Sequence, residues 1–301
     1  MAMAAEQVDL IMNKMAGTAG TVKQNIDENA NGIGELFFCD AKSQSQLNDF
    51  VEVQRPKLVA LVGFEGYGKS TFIGTLYQLL VQNETYQGFS FIDSETYVGF
   101  ERRVFLRRVN KDNVSDTKRN VLGDNDILDL QLRSEKGNAH RIIVSDKAGE
   151  TYRQYISSDD EVQKDIVLSN ADLVLFFIDA EADSKMLAEH NLIIEKYESV
   201  LNRLVRNNKI GNDTAYIIVF TKYDKVVAEE AKKKLVDRKA VICSKFSDLI
   251  GCKPMNVFEV NSHDTTDNDL NKLFAQIIAP KTEMVSIPEQ DWVKMEIENY
   301  L

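Results

Sequence analysis

The chain has 301 residues, of which 44% are hydrophobic, enough to supply a substantial buried core. With 47 acidic against 36 basic residues its net charge is −11, which repels a phosphate backbone and argues against broad nucleic-acid binding. Three cysteines, Cys39, Cys243 and Cys252, form no C-x-x-C pair, so neither a disulfide framework nor a zinc site is expected, and a reducing cytoplasm fits.

The first residues, MAMAAEQVDLIMNKM, lack a basic start, a continuous apolar stretch and a small-residue cleavage site, so no secretory signal is expected. Residues 1–55 combine an apolar-spaced stretch (Val8, Leu10, Ile11, Met15) with Gly, Asn, Ser and Gln clusters, and read as a short helix with loosely packed loops. Pro56 closes this extension. From residue 56 to 280 short apolar runs alternate with helix-periodic segments, the signature of a mostly parallel sheet covered by helices.

Six runs are predicted strands: Leu58 to Phe64, Ile127 to Ser134, His140 to Asp146, Ala171 to Asp179, Ala215 to Thr221 and Asn256 to Ser262. Only the turn-forming EKGNA separates the second from the third, which predicts an antiparallel hairpin inside an otherwise parallel sheet. Helices are predicted at about 70–82, 151–169, 184–208, 226–250 and 267–279. The apolar run Leu173 to Ile178 is far shorter than the ~20 residues that span a bilayer, so no integral membrane segment is expected. A C-terminal tail over 281–301, with two prolines and Trp292, packs back on the domain or awaits a partner.

Gly63-Phe64-Glu65-Gly66-Tyr67-Gly68-Lys69-Ser70 fits G-x-x-x-x-G-K-[ST] between a buried strand and a helix, where such a loop can cradle phosphates. The glycines let successive N–H groups turn toward a β-phosphate, and the helix N-terminus adds partial positive charge. Lys69 would bridge β- and γ-phosphates, Ser70 would place its hydroxyl on Mg²⁺, and Thr71 would begin the helix behind it. The competing reading is a glycine-rich turn with a surface lysine. The loop alone does not separate ATP from GTP, nor an enzyme from a binding module.

Asp146-Lys147-Ala148-Gly149 ends the third strand as D-x-x-G, so Asp146 can hold Mg²⁺ through water and the Gly149 N–H can meet a γ-phosphate. A plain strand-ending turn is the alternative. Thr221-Lys222-Tyr223-Asp224 follows the fifth predicted strand, expected to run beside the phosphate strand, and matches [NT]-K-x-D. A carboxylate there can accept from guanine N1–H and the exocyclic amine together, a pair of donors adenine lacks. Lys222 would lie along the base and support the phosphate loop, with Thr221 keeping a hydroxyl where asparagine is commoner.

In this order the three motifs resemble those of the Ras-like, TRAFAC-class GTPases over residues 57–280. More narrowly, F-x-x-S-E-T-Y-V-G-F-E-R-R at Phe91 to Arg103, S-D-T-K-R at Ser115 to Arg119 and S-D-K-A-G-E at Ser145 to Glu150 resemble a bacterial double-GTPase family of conflict-type systems. The resemblance implies a Ras-like P-loop G domain: a mostly parallel six-stranded sheet with one antiparallel hairpin and helices on both faces. It implies GTP or GDP as ligand with Mg²⁺, and a cytoplasmic switch whose partner is a protein effector or a second GTPase. It leaves the oligomeric state open.

Glu150 stands where Ras-like proteins carry the glutamine that orients attacking water, but it equally suits the first turn of a helix, where an acid complements the dipole. The segment 83–126 occupies the place of the first switch, with Thr117 the first candidate and Thr96 the second for the threonine that meets Mg²⁺ and γ-phosphate. Arg119 reads either as an arginine finger in cis or as an exposed loop residue. Ser262-His263 stands where Ras-like proteins have the S-A-K loop that contacts guanine, though a lone loop histidine also suits plain solvation. Glu65 replaces a small glycine beside the γ-phosphate and, if inward, would clash with an incoming arginine finger or hold it as an ion pair. Gly66 replaces the asparagine by which some GTPases recruit potassium. Three readings follow: a GTPase switch, a hydrolysis-deficient guanine-nucleotide scaffold, and an ATP-dependent P-loop enzyme for which T-K-Y-D would be coincidence.

Overall fold

The computed structural model describes residues 40–50, 55–109 and 127–280, so Thr117 and Arg119 lie outside the described residues. Among these residues the strands are β1 (Lys57–Val62), β2 (Phe89–Asp93), β3 (Ile127–Ser134), β4 (Ala139–Ser145), β5 (Leu173–Asp179), β6 (Tyr216–Thr221) and β7 (Asn256–Glu259). The helices are α1 (Lys69–Gln82), α2 (Tyr97–Val109), α3 (Gly149–Ser157), α4 (Asp159–Gln163), α5 (Ala180–Lys185), α6 (Leu187–Arg206), α7 (Glu229–Ile250) and α8 (Asn268–Ile278).

The strands form one sheet in the order β2-β3-β4-β1-β5-β6-β7. From β4 to β7 all neighbours are parallel, whereas β3 runs antiparallel to both β4 and β2. Every residue of β5 and β6 is buried, as expected for apolar strands covered on both faces. The hairpin turns at Gly137, whose φ of 87° lies in the left-handed region that glycine tolerates, and Ser134 N–H donates to Asn138 O at 2.9 Å.

The sheet therefore has seven strands where six were expected. The seventh, β2, is short and half-buried with a register shift between Phe91 and Asp93, so it carries little alternation to read. The strand order also corrects the expected neighbour of the phosphate strand. β5 pairs with β1 (Val59 opposite Leu173), and β6 lies one strand further out.

Two predicted helices divide. Ser158 is extended (φ −132°, ψ 119°) and its side chain accepts from Glu161 N–H, ending α3 and capping α4. Met186, also extended, separates α5 from α6. The unexpected helix α2 is seated on the phosphate helix: Phe100 stacks on Tyr77 with centroids 4.6 Å apart and planes 9° from parallel, and Val104 is buried. Among the described residues no helix is long and apolar enough to cross a membrane.

Candidate functional site

β1 ends at Val62, and the loop from Gly63 delivers the chain to α1 at Lys69. Gly66 and Gly68 have φ of 77° and 84°, and Gly68 begins α1 with no side-chain cap, leaving the first-turn N–H groups to an outside acceptor. Lys69 is buried, with its ammonium donating to Gly63 O at 2.5 Å and Phe64 O at 3.3 Å. Burial lowers its pKa to about 8, against the opposing pull of Asp146, Glu150 and Glu65. Ser70 and Thr71 follow in the first turn, both half-buried. Glu65 turns to the rim, where Arg153 of α3 approaches it at 3.6 Å. Tyr67 is buried and its phenol is raised above the ordinary range, chiefly by burial and then by Asp179, Asp183 and Glu189.

Asp146 emerges just beyond β4, fully buried, and accepts from Arg103 Nε of α2 at 2.7 Å. Next in the chain, Lys147 turns away into a buried pair with Asp165 at 2.6 Å, and the same carboxylate accepts from Tyr155 OH at 2.7 Å. At Gly149 a Cβ would collide with the backbone of Glu65, so the D-x-x-G turn lies directly against the phosphate loop and only glycine fits. Glu150 sits in the first turn of α3 and helps keep Lys69 protonated, an arrangement consistent with both of its readings. Tyr152 OH donates to Leu61 O at 2.7 Å, tying α3 to the phosphate strand.

Thr221 closes β6 and donates from Oγ1 to Tyr67 O at 2.9 Å and Ile178 O at 3.2 Å. The threonine hydroxyl, and not the lysine, is what holds the phosphate loop from this side. Lys222 is left-handed (φ 56°) and pairs with Asp179 at 2.5 Å, while Asp224 is exposed. Ser262 is buried and its carbonyl accepts from Thr75 Oγ1 of α1 at 2.7 Å, which brings the last loop beside the phosphate helix. His263 is exposed, and its backbone N–H donates to Asn261 Oδ1.

The structure thus gathers Gly63 to Thr71, Asp146, Gly149 and Glu150 at the ends of β1 and β4, with Thr221 braced against them. Thr96, the second switch candidate, is fully buried with its hydroxyl committed to Asp129: it accepts from the Asp129 N–H at 2.8 Å and lies 3.2 Å from Oδ1. Arg103 and Lys147 stand in sequence motifs without an assigned role, and Asp165 was not singled out from the sequence. Their partners lie 43 and 18 residues away, and only spacing within α2 (Phe100 and Val104 inward) could have hinted at Arg103.

One carboxylate and one hydroxyl, Asp146 and Ser70, suit Mg²⁺, which takes few protein ligands and completes its shell with phosphates and water. Among the described residues no group of three Asp, Glu, His or Cys side chains could hold a metal alone.

A sequence model of the family described as Double-GTPase 2 matches residues 57–277. No curated protein matches the chain. Among solved structures it is similar to that of the signal recognition particle receptor SRb-GTP/SRX complex from Chaetomium thermophilum. That match has 13% identity and a TM-score of 0.44, and covers 74% of this chain and 98% of that one. It is also similar to the bacterial selenocysteine-specific elongation factor EF-Sec, with 15% identity and a TM-score of 0.38, over 73% of this chain and 28% of that one. The family match runs from the first residue of β1 to the last turn of α8, and the chain belongs to the Double-GTPase 2 family of Ras-like P-loop GTPases.

Proposed function

We propose that the protein binds GTP and GDP with Mg²⁺, hydrolyses GTP to GDP and phosphate, and acts as a nucleotide-dependent switch for a protein partner in a bacterial defence-type system. The observation that carries this reading is the bracing of the phosphate loop by Thr221, which sets the T-K-x-D turn beside it. In this reading Lys69 and the loop N–H groups take the β- and γ-phosphates, Ser70 and Asp146 hold Mg²⁺, and Asp224 reads the guanine edge. Mg²⁺ supplies neutralising charge between the phosphates when bound. Gly149 offers its N–H to the γ-phosphate, Glu150 positions the attacking water, and Thr117 completes the metal side. A cytoplasmic setting follows from the nucleotide pool.

In this reading the segments 83–126 and 146–160 order around the γ-phosphate, and Lys147, Tyr152 and Tyr155 pin the start of α3 through buried contacts. The same pinning favours a second reading, a scaffold that holds GTP without hydrolysing it. Mass identification of the nucleotide that copurifies, followed by single-turnover hydrolysis of bound GTP, tests both. Bound GDP with measurable turnover supports the switch, GTP that persists over hours selects the scaffold, and ATP or ADP overturns the guanine reading.

A further inference from the structure

Arg103 is 4% exposed, and its guanidinium has three distinct environments. Nε donates to Asp146 Oδ2 at 2.7 Å, Nη1 donates to Gly99 O at 2.8 Å, and Nη2 is buried with no hydrogen-bond partner. The root of the side chain lies beside α1: a Cβ built on Gly74 would stand 2.9 Å from Val104 Cγ1 and 3.9 Å from Arg103 Cβ. Gly74 and Ser70 are four residues apart and share one face of α1. Arg103 therefore starts beside α1 one turn along from Ser70 and ends on Asp146.

We propose that Arg103 is a positioning residue of the nucleotide site, competing with Mg²⁺ for Asp146 so that helix α2 is released as metal-bound nucleotide enters. The inference rests on the reading of Ser70 and Asp146 as the metal side. The charge balance drives it. While the guanidinium holds Asp146, the carboxylate is neutralised and its orientation is fixed. A divalent cation draws on the same carboxylate with twice the charge. Even while it holds Asp146 the arginine is incompletely satisfied, since its Nη2 is buried without an acceptor. Once displaced, a guanidinium cannot remain buried without a new acceptor, so the helix that carries it must shift. Among the described residues α2 is also held by the Tyr77–Phe100 stack, by buried Val104 beside Gly74, by Gly99 against Ala41 and by an Arg102–Asp40 ion pair, so a shift of the helix repacks these contacts.

The test uses the full chain and a fluorescent GDP analogue titrated at graded Mg²⁺ concentrations. For Arg103→Gln and Arg103→Met, the Mg²⁺ concentration giving half-maximal binding should fall by roughly tenfold, as expected when a competing charge is removed. A requirement that is unchanged or higher overturns the competition, and would make the arginine a simple support for the carboxylate. A second measurement needs no variant. Hydrogen exchange across Tyr97–Val109 in the unmodified protein should rise when Mg²⁺ is added to a complex with a non-hydrolysable GTP analogue. Equal exchange with Mg²⁺ and with a chelator also overturns the proposal. Failure of the unmodified protein to bind any guanine nucleotide is a separate result, which removes the site reading itself.

Discussion

Replacing Lys147 with Met isolates the buried pair behind the D-x-x-G turn. Lys147 and Asp165 are both almost fully buried, and their ammonium and carboxylate meet at 2.6 Å. Removing one partner of such a pair leaves an uncompensated buried charge, which costs about 3–5 kcal/mol. Asp165 keeps three other donors, Tyr155 OH at 2.7 Å, Val167 N–H at 3.0 Å and Leu168 N–H at 3.1 Å, so the lower end, about 3 kcal/mol, applies. For a domain of this size roughly 2–4 °C of melting temperature accompanies each kcal/mol, giving a fall of about 6–12 °C. Urea unfolding and thermal melting of Lys147→Met, Asp165→Asn and the double variant form a cycle. The double variant should recover part of the loss, because it removes the charge that the single change strands. A single-variant loss below about 1 kcal/mol, or strict additivity, would refute the view that this pair pins α3.

Three further outcomes are expected at the nucleotide site. Asp224→Asn should weaken GTP binding by about two to four powers of ten and favour xanthosine triphosphate, since the amide nitrogen then meets a carbonyl in place of an amine. Dissociation constants for GTP, XTP and ATP check this, and equal GTP affinity in variant and parent ends the base assignment. Thr221→Val should lower GTP affinity by about tenfold as the phosphate loop loses its brace, and should also cost about 1–3 kcal/mol of stability, because the buried Tyr67 and Ile178 carbonyls lose this donor; an unchanged affinity would show that the loop does not need this brace. Affinity should also fall as pH rises through about 8, because burial lowers the Lys69 pKa to that value and the phosphates select the charged form. Below pH 8 the ammonium is present and binding is flat. Above it the loss approaches about tenfold per unit, and a constant affinity from pH 7 to 9 would count against Lys69 as the phosphate lysine.

The motif-bearing parts of the fold were legible because their chemistry is local. A buried apolar run before a glycine loop marks β1 and its phosphate turn, and β5 and β6 announce themselves by unbroken Val, Leu, Ile and Phe. What was hidden depends on tertiary contact. α2 carries a glycine and four arginines in thirteen residues, which blurs the apolar spacing that Phe100 and Val104 supply. The break at Ser158 was written as Ser-x-x-Glu, a local cap signal overridden by the apolar periodicity around it. The order of strands decides whether β5 or β6 neighbours β1, and no short motif encodes that. Arg103 ends a sequence motif that gave it no role and Asp165 carried no signal, because the partners that bury them come from other elements.

The contacts made by residues 40–44 bear on how this domain could be cut down for study. Lys42 bridges Ile127 through both backbone groups, its ammonium pairs with Glu95 at 2.7 Å, and Gln44 Oε1 accepts from Ile166 N–H. A Cβ at Gly99 would press on Ala41 at 2.8 Å, so this short stretch forms one wall of the slot in which α2 lies. A fragment starting at Lys57, where the first strand begins, would strip that wall, leave the Ile127 N–H and C=O without their partners, and bare the buried face of Gly99 and Leu128. Boundary design should therefore begin upstream of Asp40, and a shortened G domain that binds nucleotide poorly would be reporting a missing wall, not a defective site.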